Sequence, residues 1–503
     1  MRSITSTIVP PVIDVRGAAC EVASTGRTGH ALLPGRPDMP VLSNQEILPD
    51  LGVLPVSDVA TQSDNVTRQV LDAVVRAGEP LLIVSAPPGA GKTWLIETLT
   101  GVLVYCGLRV GVITPRVSQL DALLERLLAN FPALAPIQVL QSAQRPMPPA
   151  LAKHPGRVSV TTDAGSLHRG CGVVLSTAAK LFDTMGSGSL AGEFDVLICD
   201  EAWQIGYNNM APMLGAARQT VLIGDPGQLP PLVRVPTARF DAAPVRVHRP
   251  APETLLERYP GATHIRLPYS RRLTQGAVDL IQPSFYPALP FRAATEPYER
   301  RLALSGRSTR SAVDRAIDHL GEGASIVGLV LPRKASGWAG GVDEEMAGVE
   351  AAVVRRLLDR KARSAGNRIM EEDIGCINSR VNEGATLRKH LRARGISTER
   401  VRTDTAESWQ GLERKAIVTR HPASGLTKLS AFDLETGRFC VMLSRSSVCT
   451  ILTYREGLED ALAEHSHDCG ARELGVEDSD FRSWSTHVAL LTALENSGHV
   501  IRM

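Results

Sequence analysis

Aromatic side chains, paired cysteines, long apolar runs and an excess of either charge are all scarce in this sequence, and each scarcity excludes something. Aromatics make up 4% of the 503 residues, which leaves few rings for sequence-tolerant stacking on unpaired bases. The 55 Lys and Arg nearly cancel the 53 Asp and Glu, for a net charge of +2. No global polybasic field therefore draws the chain to a polyanion or a membrane surface, and any such binding must come from local grooves. Cysteines 20, 106, 171, 199, 376, 440, 449 and 469 form no C-x-x-C pair, and several fall in apolar runs. They read as reduced core thiols of an intracellular protein. His465, His467 and Cys469 lack a fourth ligand at a regular spacing, so that stretch reads as a solvated loop, not a metal site. No window approaches the ~18 uncharged apolar residues of a membrane span, and no continuous apolar segment of signal-peptide length follows Arg2. A cytoplasmic protein without membrane contact is expected. No nuclease constellation is visible.

A chain of this length allows about three domains, and 43% hydrophobic composition is enough for sizeable cores. Residues 1–60 are rich in Pro, Gly, Ser and Thr without a sustained period and read as an irregular extension. Asn65 to Arg76 has helical apolar spacing and carries Gln69. The centre of the chain is Pro80 to Thr93: a short apolar run, a Pro/Gly loop ending in Gly91-Lys92-Thr93, and a helix from Trp94. Strand, glycine-containing loop and helix in that order make a P-loop. Backbone N–H groups close around a β-phosphate, Lys92 reaches the β/γ oxygens, and the Thr93 hydroxyl takes a place on Mg²⁺. One departure is Ala86, which stands where G-x-x-x-x-G-K-[ST] has its first glycine.

Further on, strands are expected at Arg109 to Thr114 and Gly172 to Thr177, with residues 131–168 as an insertion between them. Phe194 to Cys199 is an apolar strand running into Asp200-Glu201. Asp200 is placed for the Mg²⁺ shell and Glu201 to deprotonate the attacking water. Thr220 to Gly224 is a fifth strand with Asp225 and Gln228 in its loop, and Gln228 is a candidate γ-phosphate sensor. Five such strands fit one doubly wound parallel sheet with its ligand at the carboxyl edge. From about residue 251 the pattern restarts as a second α/β domain without a P-loop, to about 460, followed by a helical tail over 461–503.

The ordered segments over roughly 62–460 resemble the superfamily 1 helicases. The resemblance implies two tandem RecA-like P-loop NTPase domains, α/β with parallel sheets flanked by helices, that meet in a cleft and use ATP and Mg²⁺. Gln69 would read adenine. Ala86, Pro87, Pro88, Gly89, Ala90, Gly91, Lys92 and Thr93 would be motif I, and Thr114-Pro115-Arg116 with Thr177 would lie at a single-strand groove. Asp200 and Glu201 would be motif II, and Gln228 part of motif III. Arg272 would be the motif IV arginine. Thr405 to Glu413, with Trp409, Gln410 and Glu413, resembles motif V, and Arg438 to Arg445 motif VI. Arg272 and Arg445 would meet the γ-phosphate, where a guanidinium stabilises the transferring phosphoryl.

Within the superfamily, Asp-Glu-Ala-x-Gln and Gln-Gly-x-Glu look most like the RNA-surveillance-type group, which usually moves 5′ to 3′. Departures are Cys440 for a frequent Asn, Arg271 for a frequent Tyr, and Asn378-Ser379 for a common Thr-Pro. Trp203 and Trp409 read equally as strand contacts or core. The basic clusters at Arg355-Arg356, Arg360-Lys361, Arg388-Lys389 and Arg392 to Arg394 read as phosphate followers or solvated helix faces. The expectation is a monomeric helicase or translocase on single-stranded DNA or RNA, with an undefined protein partner left open. Two alternatives stand beside it: an ATP-gated nucleic-acid clamp without unwinding, and a P-loop NTPase acting on another kind of partner.

Overall fold

The computed structural model describes residues 58–503 apart from 133, 135, 169–171, 187–189, 234–236, 238–239, 241–242, 296–298, 335–341 and 467–478. Most of the N-terminal extension, with Cys20, and also Cys171, His467 and Cys469 lie outside the described residues. The chain divides into two units. One comprises the described part of Met1–Ala86 with Gly91–Asp225 and Pro230–Leu267; the other comprises Pro87–Ala90, Pro226–Leu229 and Pro268–Met503.

Among the described residues the first unit builds an eight-stranded sheet. Its strands are β1 (Leu81–Ser85), β2 (Val110–Thr114), β3 (Ile137–Leu140), β4 (Val158–Thr161), β5 (Val173–Thr177), β6 (Phe194–Cys199), β7 (Ala217–Gly224) and β8 (Thr263–Arg266). They lie in the order β4-β3-β5-β2-β6-β7-β1-β8, every neighbouring pair parallel. β1, β2 and β6 are buried at every residue, as expected of continuous apolar strands covered on both faces. The helix expected at 65–76 runs from Asp58 to Leu71 and continues through a widened turn, Asp72–Arg76.

Two expectations are corrected here. Residues 131–168 are not an insertion beside the sheet, because β3 and β4 extend its edge; strands of four residues joined by Pro- and Gly-containing connections leave no period to read. The first unit also does not end near 250. β8 pairs with β1 from Leu82↔Thr263 onward, so the boundary falls after Leu267.

In the second unit the strands Arg402–Thr405, Ile374–Asn378, Arg414–Arg420, Ser446–Arg455, Ile326–Leu331 and Val500–Arg502 lie in that order in a six-stranded sheet. Two small ribbons precede or interrupt it in sequence: β9 (Tyr269–Ser270) with β10 (Arg292–Ala293), and the antiparallel pair β12 (Arg363–Ser364) and β13 (Asn367–Arg368). The main strands are β11 (Ile326–Leu331), β14 (Ile374–Asn378), β15 (Arg402–Thr405), β16 (Arg414–Arg420), β17 (Ser446–Arg455) and β18 (Val500–Arg502), all parallel. The tail is therefore not purely helical: after the helix Ser479–Asn496, β18 pairs with β11 and closes that edge. Cys106, Cys199, Cys376, Cys440 and Cys449 are buried free thiols, in keeping with the core-thiol reading.

The second core holds two histidines with no exposed surface, His421 and His487. His421 Nδ1 accepts from the Ala423 N–H, so its Nε2–H donates to His487 Nδ1 at 3.1 Å, while Phe439 stacks on His487 at 4.8 Å. Burial pushes His421 well below the ordinary histidine value, and pushes His487 down to about 4 even though Asp433 pulls upward. Unfolded histidines take a proton near 6.5 and these do not, so the neutral pair's stability is intact above that value and is lost as pH falls toward 4. His487 alone accounts for roughly 2 kcal/mol of that loss by pH 5 and roughly 3 kcal/mol by pH 4. Urea midpoints above pH 7 and at about pH 5 measure it, and equal midpoints would show that the core admits the proton without penalty.

Candidate nucleotide site

The site in the first unit begins where β1 ends. Ala86 is fully buried and its N–H donates to Gly224 O at 2.8 Å. A small side chain therefore suffices at the position that usually holds glycine. Gly91 has φ +92, a left-handed conformation natural to glycine, and caps the helix Lys92–Tyr105. That places Lys92 and Thr93 in the first turn, whose unpaired N–H groups favour an anion. The Lys92 ammonium lies 3.7 Å from Glu201 Oε1 and 3.9 Å from Asp225 Oδ2. Thr93 is exposed.

Asp200 and Glu201 follow β6, and Asp225 follows β7, which lies between β6 and β1. Topology thus delivers the loop lysine and both acidic strand ends to one edge. Glu201 has φ +50, a left-handed backbone at a residue with a Cβ, and its side chain is largely buried. Its N–H donates to Asp200 Oδ1 at 2.8 Å. Burial and the Glu201 carboxylate push Asp200 up to about 7 against the pull of Lys92. The cluster has more acid than base, an arrangement suited to additional positive charge. Asp225, 1% exposed, is a site residue that the sequence reading left without a role; its signal was a second carboxylate directly after an apolar strand.

Along the same edge, Thr114 and Thr177 are register partners at the ends of β2 and β5. The Thr114 hydroxyl donates to Arg116 O at 3.0 Å, and Thr177 caps the next helix by accepting the Lys180 N–H at 3.3 Å. Pro115 and Arg116 are half-buried beside them, and Gln69 is exposed near the end of the helix Asp58–Leu71.

Within the second unit, Ser270 Oγ donates to Pro88 O at 2.6 Å and the Arg271 N–H to Gly89 O at 2.9 Å. Gly89, at φ +73, passes so close to Arg272 that a Cβ there would lie 2.3 Å from the arginine's own Cβ. Ala90 N–H donates to Pro87 O at 3.1 Å. The Arg272 guanidinium donates to Glu413 at 2.8 Å and to Ser444 O at 3.2 Å. Arg445, 1% exposed, donates to the carboxamide oxygen of Gln228 at 2.7 Å. The two predicted arginines are therefore each held to another predicted site residue. Gln410 is buried, with its Oε1 unpartnered among the described residues. Thr405 lies in register with Asn378. Cys440 is a core residue, 3.1 Å from the Tyr286 hydroxyl.

Trp409 is corrected from strand contact to core. It has no exposed surface, packs with Ile377, Ile417, Val441 and Met442, and lies against Gly375, where any Cβ would collide with its ring. Trp203 is likewise buried. Trp409→Ala is expected to cost about 3–5 kcal/mol of stability, read from denaturant unfolding; unchanged stability with weakened strand binding would restore the contact role. Part of the basic clusters is also structural: Arg356 and Arg360 pair with Asp314 and Asp318, and Arg388 donates to Thr403 O at 2.8 Å.

The fold and this site define an α/β protein of two units, each built on a parallel sheet, with a P-loop in the first. More narrowly, the chain resembles the superfamily 1 helicases: residues 160–235, which carry the Asp200-Glu201 and Gln228 segments, match the family described as AAA domain. No curated protein matches the sequence. Similar solved structures include the arterivirus nonstructural protein 10 helicase in complex with DNA, at 13% identity and TM-score 0.39, covering 76% of this chain and 63% of that one. The PRRSV helicase matches at 12% identity and TM-score 0.37, over 79% of this chain and 54% of that one. The chain thus spans less than two thirds of each, and a likeness of this degree says nothing about function.

Proposed function

We propose that the protein is an ATP-dependent helicase or translocase on single-stranded nucleic acid, moving 5′ to 3′. The observation that carries the reading is the convergence of Lys92, Asp200, Glu201 and Asp225 at one sheet edge, with Thr114 and Thr177 paired along it. In this reading Gln69 recognises adenine, and the first turn of the helix Lys92–Tyr105 receives the phosphates. Lys92 moves from the carboxylates to the β/γ oxygens, which frees Glu201 to orient a water opposite the leaving group. Water attacks the γ-phosphorus, its proton passes to Glu201, and the bond to the β–γ bridging oxygen breaks. Within the second unit, the pairs Arg445–Gln228 and Arg272–Glu413 are polar groups suited to bind an anion. The acid-rich cluster fits Mg²⁺, which Thr93 and Asp200 would hold and which would neutralise phosphate charge.

The testing experiment is steady-state ATP hydrolysis by the purified chain, alone and with single-stranded DNA or RNA. Stimulation by one polymer supports the motor and names its strand. An equal rate with and without both polymers would favour a P-loop NTPase acting on a different partner.

A further inference from the structure

The phosphate loop, residues 86–91, is short of hydrogen-bond donors, because Pro87 and Pro88 have no N–H. Two of its four remaining amides are already used: the Ala86 N–H donates to Gly224 O at 2.8 Å and the Ala90 N–H to Pro87 O at 3.1 Å. Those of Gly89 and Gly91 have no partner among the described residues. We propose that Ser270 is a positioning residue for the first of these, its hydroxyl fixing the Pro88–Gly89 peptide so that the Gly89 N–H points to a nucleotide phosphate. The proposal rests on the ATP reading above and adds to it the residue that aims the loop.

Pro88, Gly89 and Ser270 all belong to the second unit. Ser270 Oγ donates to Pro88 O at 2.6 Å. No peptide bond among the described residues is cis, and in a trans peptide the N–H points opposite to the C=O. A hydroxyl that holds Pro88 O therefore turns the Gly89 N–H to the far side of the plane, away from Ser270. Glycine tolerates either orientation of that plane, so an anchor has to decide it. The next plane is held in the same way, since the Arg271 N–H donates to Gly89 O at 2.9 Å. A hydrogen bond to a peptide carbonyl also polarises the amide across the plane, which makes its N–H a better donor to an anion.

The hydroxyl has little freedom to do anything else. Ser270 has no exposed surface. It ends β9 in register with Ala293 of β10, and its carbonyl accepts the Ala294 N–H at 2.7 Å. Its Oγ accepts the Leu273 N–H at 3.0 Å, which leaves the single hydroxyl proton for Pro88 O. A peptide plane fixed before a ligand arrives loses little freedom on binding.

The test is titration of the full chain with ADP and with ATP, for wild type, Ser270→Ala and Ser270→Cys, alongside ATP turnover and melting temperature. Both nucleotides carry the β-phosphate that a P-loop encloses. Ser270→Ala is expected to weaken both on the order of tenfold, the low end of what one hydrogen bond to a charged group supplies. KM for ATP should rise with kcat nearly unchanged, the mark of binding shared by ground and transition states. Cysteine fills the space but donates weakly, so Ser270→Cys should stay impaired, and it carries the test if the alanine variant does not fold. Wild-type affinity in Ser270→Ala overturns the proposal, and wild-type affinity in Ser270→Cys assigns the residue to packing. A lowered melting temperature without a change in affinity does the same. A loss confined to ATP places the effect at the γ-phosphate and also overturns it. Failure of the wild type to bind either nucleotide overturns the ATP reading, and this proposal with it.

Discussion

Lys92→Ala is expected to lower ATP turnover by at least 10²–10³-fold, the range found when a single preorganised donor to a developing oxyanion is removed. The structure gives a reason for the upper end. Lys92 is the cation that lies 3.7 Å from Glu201 and 3.9 Å from Asp225, and it opposes the burial that drives Asp200 upward. Without it the edge presents carboxylates to an incoming polyphosphate. Nucleotide affinity should therefore fall together with turnover, a pattern that separates loss of phosphate binding from loss of a chemical step alone. Phosphate release under saturating nucleotide and titration with a fluorescent analogue measure the two quantities. Turnover within tenfold of wild type would remove Lys92 from the phosphate site.

The parts legible in the sequence were those in which one local pattern decides the outcome. β1, β2, β6 and β7 each end in a chemically distinct loop, and their apolar runs are long enough to read. What escaped reading depended on pairing at a distance. β3 and β4 have four residues each and are strands because β5 supplies a partner edge. β8, whose residues are only partly buried, joins β1 across most of the unit's sequence, so a boundary drawn from local restart of the pattern cut it away. β18 follows a long helix and has three residues. Aromatic placement was illegible for a related reason. Trp409 sits in a polar motif, and Gly375 on β14, where a Cβ would meet its ring, leaves the room that buries it.

Glu201→Gln is expected to retain nucleotide binding while turnover falls about 10²–10⁴-fold, the contribution of a positioned general base. The backbone adds a second, independent expectation. A left-handed conformation at a residue with a Cβ costs about 1–2 kcal/mol, and at φ +50 Glu201 bears that cost beside a carboxylate that its own charge opposes. Glutamine removes the charge and keeps the strain. Glycine removes both, at about 0.5–1 kcal/mol of added unfolded-state entropy, so Glu201→Gly should melt above wild type, by about 1 kcal/mol in stability, although it is as inactive as Glu201→Gln. Strain kept where it weakens the fold is what a site selected for geometry produces. Thermal unfolding of the three proteins alongside ATP turnover decides the matter. Full turnover in Glu201→Gln would end the general-base assignment, and a Glu201→Gly protein less stable than wild type would mean that the carboxylate holds structure through Lys92 more than it serves chemistry.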